Sequence, residues 1–62
     1  MKVESVCPNL MQDDEGNYYL VTNIDPSIVM SQTTGELFKI TKRDAAHQPI
    51  EVQNLYEYEQ SH

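Results

Sequence analysis

The chain has a single cysteine, Cys7, so it cannot close a disulfide within itself. Its histidines are His47 and His62, and no Cys-x-x-Cys or His-x-x-x-His pair occurs, which leaves a closed zinc site of Cys and His one ligand short of four. Glycine stands only at Gly16 and Gly35, too sparse for a loop that cradles phosphate. Tryptophan is absent, and no run approaches the roughly 20 apolar residues that cross a bilayer. No apolar leader is visible at the N-terminal end. Together with the lone thiol, these absences predict a cytoplasmic protein with no membrane contact and no cofactor.

Basic residues are also scarce: four Lys and Arg stand against ten Asp and Glu, for a formal net charge of −6. Such a balance repels phosphate and anionic lipid, so direct nucleic-acid binding is not expected and a protein partner with a basic surface is favoured. Lys39, Lys42 and Arg43 lie close together near Phe38 and have to be weighed as a phosphate contact. On a strand, Lys39 and Arg43 point one way and Lys42 the other, which reads better as charge balancing between neighbouring strands.

Catalytic groupings are missing too. Cys7 and His47 sit in no nucleophile motif, and Cys7 beside Pro8 reads as a small buried or half-buried apolar residue. Asp13-Asp14-Glu15-Gly16 fails as a calcium loop, because aligning Gly16 with the loop glycine puts Met11 at the first ligand position and leaves no bidentate glutamate. The chain is therefore expected not to be an enzyme.

What is present is a series of short apolar runs divided by Pro8, Pro26 and Pro49. Val3 to Met11 reads as two short strands or one bulged edge strand. Gln12 to Asn17 reads as a hairpin turn with Gly16 at positive φ and Asp13 or Asp14 bonding the turn backbone. Tyr18 to Ile24 has apolar bulk on both faces, as in a central strand or one that meets a second subunit. Asp25-Pro26-Ser27 is a helix-start signature, yet residues 28–32 also read as a strand, with Thr33-Thr34-Gly35 turning into a return strand over 36–41. From Ile50 the alternation is regular: Ile50, Val52, Asn54, Tyr56 and Tyr58 on one face, Glu51, Gln53, Leu55, Glu57 and Glu59 on the other.

The prediction is a single mostly β domain: a small, highly curved antiparallel sheet or open barrel of four to five short strands, with room for one helical turn between the second and third. Sixty-two residues bury roughly 60% of the unfolded surface, so oligomerisation through an exposed edge, as a homodimer, is an expected source of support.

Two acidic features stand out. Asp13, Asp14 and Glu15 form a negative knob at the hairpin tip, and Glu51, Glu57 and Glu59 on one strand would space carboxylates at roughly 6.6–7 Å or its multiples, comparable to phosphates along a DNA strand. Tyr19, Tyr56 and Tyr58 are the accompanying aromatic anchors. The stretch from Leu10 to Tyr19, and more loosely Glu36 to Ile40, resembles the short uracil-DNA glycosylase inhibitor of phi29-like phages. That resemblance implies an acidic dimer of a small sheet and a helix that blocks its enzyme by imitating DNA; Leu20 stands where the family has an acid. The expected function is a phage-type inhibitor occupying the basic surface of a host nucleic-acid-processing enzyme. The alternative is a small β-barrel adaptor or assembly subunit.

Overall fold

Proline, glycine and Asx turns cut the chain where the sequence predicts. The computed structural model describes residues 1–61, in the order β1 (Val3–Cys7), β2 (Leu10–Asp13), β3 (Tyr18–Val21), β4 (Ile28–Ser31), β5 (Leu37–Arg43), β6 (Pro49–Asn54) and α1 (Leu55–Gln60). His62 lies outside the described residues. The six strands form one antiparallel sheet in sequence order. Six replaces the expected four to five because Pro8-Asn9 splits the first run into two paired strands and residues 28–31 are extended. No helix among the described residues is long and apolar enough to cross a membrane.

The sheet curls until its two edges touch. The Met1 nitrogen donates to the Val52 carbonyl at 2.9 Å, the Val52 N–H donates to the Met1 carbonyl at 2.8 Å, and Lys2 pairs with Glu51. Further along, β1 bulges between Ser5 and Cys7 and the edges part, which leaves a half-barrel.

Side chains alternate across the sheet, so the inner face collects Val3, Met11, Tyr19, Val29, Ile40 and Val52, with Val21 and Phe38 packed against them. Tyr19 meets Phe38 edge-on, with ring centres 5.2 Å apart.

The loops β2–β3 and β5–β6 share one construction. In residues 13–17 and 44–48 the leading aspartate accepts the N–H groups two and four positions on, Glu15 and Asn17 to Asp13, Ala46 and Gln48 to Asp44, each at 2.9 Å. The fourth residue is left-handed, Gly16 at φ 89° and His47 at φ 63°. The β4–β5 loop is a variant: Ser31 Oγ accepts the N–H groups two and three positions on, from Thr33 and Thr34 at 3.2 Å, and the left-handed residue is the fifth, Gly35 at φ 78°.

Two local expectations are corrected, and of the two readings left open after Pro26 the strand is the one observed. The strand from Ile50 stops at Asn54, whose side chain accepts the N–H groups of Tyr56 and Glu57 and starts a helix, so Tyr56, Glu57, Tyr58 and Glu59 leave the strand alternation. The helical turn after Pro26 is absent, because Asp25 Oδ1 takes both the N–H and the hydroxyl of Ser27 and Ile28 enters the ladder opposite Lys39. Cys7 is exposed, since the bulge turns it to the outer face opposite Leu10.

Candidate functional site: an acidic end of the half-barrel

An up-and-down meander sends alternate connections to opposite ends. The β2–β3 loop, the β4–β5 loop and the end of β6 emerge together, and with them come Asp14, Glu15, Glu36 and the helical Glu57 and Glu59. The opposite end receives Asp25 and Asp44 but also Lys42, Arg43 and His47. Five carboxylates scattered in sequence are thereby gathered at one end, where the Met1 ammonium and Lys2 also lie.

Cross-ties fix the acidic end. Thr33 Oγ1 bonds Asn17 Oδ1 at 3.3 Å, joining the two hairpin tips, and Asn54 Nδ2 donates to Glu36 Oε2 at 3.1 Å, joining the second tip to the start of α1. Glu15 and Glu36 line one hollow with Met1 and Asn17, and Glu36 and Glu59 line the next with Leu37 and Tyr56. Glu36 is the hinge of the arrangement. Its sequence signal was modest: an acid directly after the glycine of a predicted turn, hence at a tip.

The expected contact residues separate into three groups. Asp14, Glu15, Glu57 and Glu59 are exposed at this end, as is Tyr56, which is 70% exposed. Asp13 and Tyr19 are buried and bonded to each other, Tyr19 hydroxyl to Asp13 Oδ2 at 2.8 Å, so they position the tip and do not offer a contact surface. Burial raises the Asp13 pKa, but hydrogen bonds from the Tyr19 hydroxyl, the Asn17 backbone and amide and the Glu15 backbone hold it below 3.8. Tyr19 is pushed up to about 12 by burial, by its bond to Asp13 and by the charges of Asp13, Glu15 and Asp14.

Glu51 and Tyr58 stand apart from that end. Glu51 lies half-buried on β6 in register with Lys42 and beside Lys2, and Tyr58 turns its ring toward Lys39, whose Nζ is 5.8 Å from the ring centre. The evenly spaced carboxylate ladder from Glu51 to Glu59 is therefore not formed; a strand segment and a helix carry its members. Among the described residues no cluster of metal-ligating side chains occurs. Cys7, Arg43 and His47 line a groove at the opposite end, where the Arg43 guanidinium donates to the His47 carbonyl at 3.1 Å.

No family model, curated protein or solved structure matches this chain.

Proposed function

We propose that this chain is a non-enzymatic protein-binding module that acts in the cytoplasm as an inhibitor, docking its acidic end on the basic surface of an enzyme that acts on nucleic acid. The observation that carries the reading is the gathering of Asp14, Glu15, Glu36, Glu57 and Glu59 at one end of the half-barrel, tied in place by the Thr33–Asn17 and Asn54–Glu36 bonds. Carboxylates held in position lose little freedom on docking, and an end where acids outnumber the Met1 ammonium and Lys2 steers encounter with a basic surface. A cationic groove built for phosphate releases its counterions to such a surface as it does to DNA. Tyr56, exposed beside Glu57 and Glu59, supplies an aromatic anchor. The likeness of residues 10–19 to the phage glycosylase inhibitors supports the same reading.

The test is capture from bacterial lysate by the tagged chain, with bound enzymes eluted by rising salt and then challenged with DNA. The reading expects an enzyme of DNA or RNA that DNA displaces, and loss of that enzyme in a triple variant, Asp14→Lys, Glu15→Lys and Glu36→Lys. Retention of the same enzyme by the triple variant would sink it. A second reading, a small adaptor or assembly subunit, is favoured by a different observation: the outer face of β3 and β4 carries no charge.

A further inference from the structure

Where the edges part beyond the β1 bulge, the half-barrel opens into a groove of about 480 Å³. Its apolar lining comes from Met11, Val21 and Ile40 on the inner face and from Pro8 and Pro26 in the loops. Deeper in, Val29, Val52 and the Tyr19–Phe38 pair fill the interior, so the groove is a blind well with one mouth. Mouths of β-barrels are common places for small ligands, and the volume lies within the roughly 300–1,000 Å³ of such sites.

We infer that this mouth binds a small organic carboxylate, its charge held by Arg43 and His47 and its apolar body by Val21 and Ile40. The first support is charge. In a chain with ten acids against four bases, no Asp or Glu lines the groove, whereas the hollows of the acidic end and of the seam all hold carboxylates. Asp25 and Asp44 lie at the same end but outside the lining, each with Oδ1 turned to its own loop. The second support is how Arg43 arrives. Two register shifts flank Lys42, pairing it with Glu51 and Arg43 with Pro49, so Arg43 lines the groove where unbroken alternation would set it beside Lys39 on the outer face. Bulges at barrel rims re-aim side chains in this way. Arg43 Nη1 donates to the His47 carbonyl at 3.1 Å, which fixes the guanidinium and leaves its Nε–Nη2 edge for a bidentate carboxylate. The third support is His47 itself. It holds φ 63° at the loop position that Gly16 fills in the matching β2–β3 loop, so the chain bears backbone strain to keep an imidazole at the mouth. An imidazole offers an N–H donor whether neutral or charged. One fork and one ring match a single carboxylate, and the apolar well behind them selects anions that carry a hydrocarbon body.

Titration of the full chain with hexanoate and with benzoate, followed by methyl and amide resonances, tests this inference. The expected result is saturable shifts of the Val21 and Ile40 methyls and of the amides from Arg43 to Gln48. Hexanamide and benzamide, which lack the charge, bind at least about tenfold more weakly, and so do acetate and inorganic phosphate, which lack the apolar body. Arg43→Gln raises the dissociation constant at least about tenfold. His47→Gly raises it at least about threefold while the melting temperature rises, a pairing that a loop residue with no ligand would not show. Absence of saturable shifts with both carboxylates overturns the inference. So do amides, acetate or phosphate that bind as well, shifts that fall away from the mouth, or affinity kept in both Arg43→Gln and His47→Gly.

Discussion

The Tyr19 hydroxyl reaches across the β2–β3 hairpin to Asp13 Oδ2 at 2.8 Å, and the same carboxylate accepts the backbone of the tip it supports. One aromatic residue of the core thereby sets where Asp14 and Glu15 stand. Tyr19→Phe keeps the ring against Phe38 and removes that donor, for an expected loss of about 1 kcal/mol in urea unfolding with unchanged slope. An unchanged midpoint would show that the tip holds itself.

Stability should fall at both ends of the pH scale. Asp13 and Asp25 have lowered folded pKa values. Bonds from the Ser27 backbone and hydroxyl act first at Asp25, against burial and helped by Lys39, so the contribution of both aspartates is full above 3.8 and lost as pH drops through the lowered folded values. Tyr19 is raised, so its contribution is full below 10 and lost as pH climbs toward about 12. Thermal melts of Asp13→Asn and Tyr19→Phe should flatten the acid and alkaline limbs respectively. Limbs that keep their slopes in these variants would assign the pH dependence to other groups.

At His47 the β5–β6 loop demands the left-handed conformation that Gly16 supplies in its counterpart. His47→Gly should raise stability by a few tenths to about 1 kcal/mol, and Gly16→Ala should lower it by about 1 kcal/mol. A methyl at Gly16 meets nothing closer than Gln12 Nε2 at 3.8 Å, so the cost there is backbone strain alone. Calorimetry that ranks the two variants the other way would refute this assignment.

Asn54→Ala removes the cap of a six-residue helix that could not persist alone. We expect a loss of about 1 kcal/mol and the departure of Glu57 and Glu59 from the acidic end, seen as lost amide protection over α1. Protection equal to that of the parent chain would mean that Leu55 and Tyr58 hold the helix by packing.

The hairpins were legible because their turn chemistry is local: Asp13 to Asn17 and Thr33 to Gly35 specify their loops without help from the rest of the fold. The C-terminal segment was misread because Ile50 to Tyr58 follows a period of two except at Asn54 and Leu55, where the strand in fact ends, while the competing signal, Asn54 followed three residues later by Glu57, is a short capping pattern. The acidic end was half legible. Asp14 and Glu15 announce themselves as a tip, but Glu36 joins them only through strand order, and the burial of Asp13 and Tyr19 depends on which face of each strand turns inward.

Every ladder in this sheet joins strands that are neighbours in sequence, except the seam where Met1 meets Val52, 51 positions away. A nascent chain can therefore zip its hairpins one after another as they appear, each closing a small loop at low entropic cost. The seam must wait until β6 exists, and unlike the β5–β6 hairpin it then closes a loop of 51 positions. It is the late, slow stitch of folding and the first to part in unfolding, so strengthening it should lengthen the life of the native state while leaving the early hairpins to form at their own pace.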